Sequence, residues 1–170
     1  ALGRYCAFGN LFARYGIGSA GAIHRLDRHP AVSKHPVTPM TDSNLVRVMQ
    51  TQCRGTVGLI DHAVVAQGEG AIRARMAALQ AQGVSVAVVD AVSNHDLLRL
   101  GPALADMPLV TAGSGVAIGL PGNWGLAPST TASALPPASG ARAIVSGSCS
   151  LATNRQVAAK VAQLYQTIRD

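Results

Sequence analysis

"VSVAVVDA", residues 84–91, is a nearly unbroken run of valine and alanine that stops on Asp90. A short apolar run without alternation predicts a strand covered on both faces, as in a parallel sheet packed by helices. The flanking sequence fits that prediction. Upstream, "TVGLID" (56–61) is a second short β-branched run. Between the two, "EGAIRARMAALQAQG" (69–83) places Ile72, Met76 and Leu79 at helical spacing, with Gly83 as a stop. Downstream, "SNHDLLRLGPALA" (93–105) opens with Ser93 and has Asp96 three residues on, a start like a capping box. "PLVTAGS" (108–114) predicts a third strand and "SGVAIGLPGNWG" (114–125) the beginning of another helix. "ARAIVSGS" (141–148) predicts a fourth strand. The last helix carries Val157, Val161, Leu164 and Ile168 on one stripe. Strand and helix thus alternate at the pitch of βαβ units.

The expected class is α/β: a parallel-sheet, three-layer βαβ domain followed by the first βα unit of a second α/β domain. The division falls at "APSTTASALPPASG" (127–140), an uncharged stretch rich in Pro, Ser, Thr and Ala that reads as a linker. Residues 1–126 make the first domain. Residues 141–170 are too few to bury a core of their own, so they are expected to open a second domain. Near the other end, "GRYCAFGNLFA" (3–13) reads as a strand or hairpin arm and "YGIGSAGAIHRLDRHP" (15–30) as loop. Pro36 and Pro39 hold "SKHPVTPMTDSNL" (33–45) extended, and Thr41 is expected to cap a helix whose inner face is Leu45, Val48, Met49 and Gln52.

Composition narrows the function. Of 170 residues 48% are hydrophobic, enough for a core, and no apolar run is long enough to span a membrane. No charged-then-apolar leader is visible. Cys6, Cys53 and Cys149 are odd in number and widely spaced, which suits reduced thiols in a cytoplasmic setting and no metal site. The net charge of +6 invites a nucleic-acid partner. Its distribution argues otherwise: residues 1–54 hold seven Lys/Arg against two Asp, and the remainder seven against six. His24, His29 and His35 fall in the same basic segment. A local site for a small anion fits better than a surface that tracks phosphates.

Four groups of residues are candidates. Arg25, Arg28, His29, Lys34 and His35 either grip a carboxylate or form a solvated basic loop. Asp90 ends a strand where α/β sheets bind ligands, and either meets a substrate hydroxyl or caps the next turn. "VTAGSGVAIG" (110–119) sets Gly113, Gly115 and Gly119 at a predicted strand-to-helix junction. There, backbone N–H groups could approach an anion, or the glycines could serve packing alone. Its spacing is not the usual dinucleotide one, but an NAD(P)-dependent reductase using 113–119 is the alternative it leaves. In "VSGSCS" (145–150), Ser146, Gly147, Ser148 and Ser150 could donate to a phosphate, or Ser150 could simply cap the last helix.

The segment "HPVTPMTDSNLVRVMQTQCRGTVGLI" (35–60) resembles the four-carbon acid-sugar kinase family. The resemblance continues through 3–13, 89–104, 111–120 and "SGSCSLATNRQV" (146–157). It implies a two-domain α/β kinase that phosphorylates 3-oxo-tetronate, threonate or erythronate with ATP and Mg2+. By that resemblance Arg28, Lys34, His35, Thr38, Asp90, Gly113, Ser114 and Gly115 belong to the acid-sugar site. Ser146, Gly147, Ser148 and Ser150 would belong to the nucleotide site, one serine contacting ATP. The family's Asp-Asp-x-Thr-Gly motif and its later Gly-rich loop are not in these 170 residues. The chain is therefore expected to be a central segment, inactive alone, with the general base in a preceding part. With the charge distribution and the absence of a long apolar run, the expected partners are the acid sugar and ATP, with no nucleic acid and no membrane, and a homodimer is left open.

Overall fold

The computed structural model describes residues 3–15, 21–137, 139–141, 143, 145–148 and 151–169. They divide into two compact units, Ala1–Pro128 and Ser129–Asp170.

The first unit begins with an antiparallel sheet of β1 (Arg4–Ala7), β2 (Asn10–Tyr15) and β3 (Ala22–Arg25), in that order. β1 and β2 form a hairpin closed by Phe8 and Gly9, with Ala7 paired to Asn10. Both loop residues have positive φ, 50° and 72°, the sign pattern of a type I′ turn. Glycine adopts that conformation freely; for Phe8 it costs about 1–2 kcal/mol.

Then come α1 (Leu45–Gln50), β4 (Thr56–Ile60), α2 (His62–Ala66), α3 (Glu69–Ala81), β5 (Val84–Val89) and α4 (Asn94–Ala103). β4 and β5 are parallel, with Leu59 opposite Val88 and Ile60 opposite Val89. This is the βαβ unit that the two apolar runs predict. One face of β4 meets α3. Ile60 lies in a buried cluster with Val65, Ile72, Leu79, Leu97, Leu100 and Ala103, and at Gly58 a Cβ would press on Leu79 at 2.9 Å. The other face carries Leu59, which together with Val46 of α1 flanks Gly9 of the hairpin turn. Each large aliphatic side chain in the cluster contributes about 1.5–3 kcal/mol relative to exposure. The predicted stripe on α3 holds: Ile72 and Leu79 are buried and Met76 packs against them. Gly83, at φ 75°, stops that helix. The capping box at α4 forms as predicted, Ser93 and Asp96 each accepting from the other's backbone.

Five expectations are corrected. Residues 108–113 form no strand, and Leu109 is 76% exposed. A strand needs a neighbour, and among the described residues none pairs with this segment. The following residues form short 3-10 turns, Ser114–Ile118 and Pro121–Trp124, instead of a helix. Gly115, Gly119, Pro121 and Gly122 are poor helix formers. The described residues of 141–148 contain no strand either. Conversely, β3 and a 3-10 turn at Leu26–Arg28 occupy the stretch read as loop. Finally, Asn44 caps α1 in place of Thr41, accepting from the Arg47 N–H. The chain cannot turn helical at Thr41, because Leu11 N–H donates to Ser43 O and Leu45 N–H to Gly9 O, pinning 43–45 to the hairpin first.

β5 is less covered than an all-apolar strand predicts: Ser85 and Ala87 are exposed. Among the described residues its only strand partner is β4. The second unit consists of a 3-10 turn at Thr130–Ser133 and α5 (Leu151–Arg169). No helix among the described residues is long and apolar enough to cross a membrane.

Candidate functional site at the carboxyl ends of the parallel strands

β5 delivers Asp90 to the sheet's carboxyl end, the side on which α/β sheets bind ligands. Its side chain is fully buried. One carboxylate oxygen accepts from the Cys6 thiol at 3.1 Å and the Gly9 N–H at 3.0 Å. The other accepts from the His62 N–H at 3.0 Å. Asp90 thus clasps β1, the hairpin turn and the start of α2 to the end of β5. Burial, then the hydrogen bond to Asp90 and its charge, push the Cys6 thiol well above its ordinary range. It therefore stays protonated and donates.

The clasp extends to the basic segment. Gly9, held by Asp90 through its N–H, accepts the Leu45 N–H through its carbonyl at 2.7 Å. Ser43, 2% exposed, donates to Asn10 Oδ1 at 3.0 Å. The chain "TDSNL" (41–45) is therefore fixed to the same corner as Asp90. Asp42 and Arg47 make a two-pronged ion pair at 2.8 Å beside a cleft of about 420 Å3 lined by Pro39, Met40, Thr41, Val48 and Thr51. The Arg47 hydrogen bonds and the Asn44 N–H bring the Asp42 carboxyl down to about 2.

The predicted anion grip is only partly assembled. Arg25 is committed to Asp27 at 2.6 and 2.7 Å. Arg28, Lys34, His35 and Thr38 are exposed. His35 Nδ1 accepts from the N–H groups of Val37 and Thr38 at 3.3 and 3.0 Å, with the Thr38 hydroxyl at 3.1 Å. An Nδ1 that accepts leaves the proton on Nε2, a donor free to meet a carboxylate. His29 repeats the device six residues earlier. Its Nδ1 accepts from Ala31 and Val32 N–H, both at 3.2 Å, while its buried ring packs edge-on against Tyr15 and His24. The repeated His-Pro at 29–30 and 35–36 was the sequence signal for these twin turns.

Gly113 and Ser114 are exposed and Gly115 half-buried, its missing Cβ facing Leu97 in the first turns of α4. Gly113 has ordinary extended geometry, φ −71°, ψ 166°. A Cβ there would meet nothing within 4 Å. Neither backbone nor packing requires glycine at 113, whereas close approach of a ligand would. Gly119 is different: a side chain there would collide with Leu97 O and the backbone of Gly101. Without a strand before it and an α-helix after it, 113–119 is not the strand–turn–helix cradle a dinucleotide needs. Ser146, Gly147 and Ser148 are exposed in the second unit. Ser150 and Cys149 lie outside the described residues.

Residues 1–120 match the family model described as the sugar-binding N-terminal domain. The chain belongs to that family, the four-carbon acid-sugar kinases. A Pseudomonas fluorescens protein named 3-oxo-tetronate kinase is 52% identical over 126 residues, covering 72% of this chain and 29% of that protein. An Escherichia coli protein of the same name is 47% identical over 137 residues, covering 80% of this chain and 35% of its own. A solved structure from Salmonella typhimurium LT2 superposes with a TM-score of 0.70 at 38% identity, over 92% of this chain and 35% of that one. The chain thus spans about a third of the length of these relatives.

Proposed function

We propose that this chain is the central segment of an ATP-dependent kinase acting on a four-carbon acid sugar of the 3-oxo-tetronate, threonate or erythronate type. Residues 1–126 form part of the acid-sugar domain, 127–140 the linker and 141–170 the opening of the nucleotide domain. The observation that carries the reading is the Asp90 clasp. It fixes the motif segment 43–45, the hairpin turn and the start of α2 at the carboxyl end of the parallel strands. Relatives named 3-oxo-tetronate kinase support the substrate class.

In this reading Lys34, Arg28 and the Nε2–H of His35 attract the substrate carboxylate, and Thr38 holds the His35 ring in place. Backbone N–H groups at Gly113–Gly115 approach the ligand, with open space at Gly113 in place of a side chain. Asp90 acts from behind, keeping the corner rigid. The exposed 146–148 stretch suits ATP, with small residues and, at Gly147, open space in place of a side chain; Ser150 is proposed with them. ATP supplies the phosphoryl group, and the chain contributes positioning and charge complementarity. Among the described residues no three His, Cys, Asp or Glu side chains converge as a metal site. Mg2+ in kinases is held largely by the nucleotide phosphates and water with one or two carboxylates, so it would enter with ATP.

The test is ADP release by the intact enzyme containing this segment, with each of the three acid sugars. Turnover with at least one is expected; none with any of them overturns the proposal. The 170-residue segment alone is expected to be inactive.

A further inference from the structure

His62 opens α2 one residue after Asp61, the cap that follows β4, and is a lone histidine with no motif around it. Its backbone N–H is held by Asp90 at 3.0 Å. Its imidazole Nε2 stands 3.6 Å from Oδ2 of Asp96, a carboxylate only 2% exposed. Asp96 is itself fixed by the N–H groups of Val92 and Ser93, by the Ser93 hydroxyl, and by Arg99 at 3.3 Å. The His62 side chain is 33% exposed. The ring thus sets Nε2 beside a buried anion and is one-third exposed at the carboxyl ends of β4 and β5. A carboxylate beside Nε2 favours the tautomer that carries its proton there. Nδ1 is left as an acceptor, and among the described residues no hydrogen bond to it is found.

We propose that His62, oriented by Asp96 and Asp90, accepts a hydrogen bond at Nδ1 from a hydroxyl of the polyhydroxy-acid ligand. This rests on the acid-sugar reading of the site and assigns it a specificity-determining residue. Cationic groups recognise the ligand's carboxylate but do not distinguish a hydroxylated acid from a deoxy one. A site built around an acceptor does, because the acceptor stays unpaired when the hydroxyl is missing.

Long-range 1H–15N NMR of the intact enzyme containing this chain, titrated with threonate and erythronate, tests the proposal. The free enzyme should show His62 as the Nε2–H tautomer, and the sugar acid should shift its Nδ1 resonance. H62F should weaken affinity about tenfold, the value of one hydrogen bond. H62N, whose amide oxygen falls near the Nδ1 position, should recover most of it. An Nδ1–H tautomer, or H62F binding as tightly as the unaltered enzyme, overturns the assignment. If other resonances shift while His62 does not, the acid-sugar reading stands and the role of His62 falls. If no resonance shifts with either acid, both fall.

Discussion

Asp90 carries the corner on which the site depends. Three donors from three elements converge on its two oxygens in a place closed to water. Replacing one oxygen by an amide sets N–H against N–H and leaves a buried donor unsatisfied. D90N should therefore destabilise the chain by about 2 kcal/mol in urea unfolding, although it is nearly isosteric. A loss below a few tenths would show that the clasp is not formed. His35 presents the opposite case. It is exposed and caps only its own turn, through Val37 and Thr38, so its removal should leave global stability unchanged. In the intact enzyme, H35A should raise the acid-sugar KM about tenfold, again one hydrogen bond's worth, with the ATP KM unchanged. Equal losses in both would assign His35 to folding instead.

α4 shows what local sequence fixes and what it leaves open. Its capping box needs only Ser93 and Asp96 at the right spacing, so it was readable directly, and S93A should cost about 1 kcal/mol. The Asp96 carboxyl feels opposing effects. Burial alone would raise it, but hydrogen bonds from Val92 and Ser93 hold it below the usual carboxylate range. Its ionised form is thus favoured by folding. That stability is present above the ordinary carboxylate range and is lost as pH falls through and below it. D96N should flatten the acid side of the stability–pH profile; an unchanged profile would remove Asp96 from the balance. The glycines of 113–119 were legible as a group but not individually, because spacing does not say what faces each missing side chain. At Gly119 it is the backbone of α4, at Gly113 open space. G119A should destabilise by about 1–3 kcal/mol. G113A should leave stability intact and, in the intact enzyme, weaken acid-sugar binding; no change in binding would make Gly113 a bystander. The strand expected at 108–114 failed for a related reason, and none forms among the described residues of 141–148: apolar β-branched composition offers a strand, but pairing makes one. Asp90 was placed correctly at a strand's end, whereas its burial and the role of His62 depend on residues up to 84 positions away and left no local trace.

The two units differ in what holds them. Every buried residue of the apolar cluster lies between Ile60 and Ala103 in the first unit. In the second, none of the residues whose burial is described is buried, and Val157, Val161, Leu164 and Tyr165 on α5 are 44–67% exposed. An amphipathic helix gains most of its stability by packing its apolar stripe, and a single helix of this length is marginal in water. α3 has Ile72 and Leu79 locked in the cluster, so its amides open only with the whole unit. Hydrogen exchange of the 170-residue chain should therefore be slow across Glu69–Ala81 and at least a hundredfold faster across Leu151–Arg169, since ~1.4 kcal/mol of local opening energy changes exchange tenfold. Equal protection in both helices would mean that the stripe on α5 is already covered, and that 129–170 has a packed core of its own. Fast exchange would instead identify α5 as an element awaiting a partner surface.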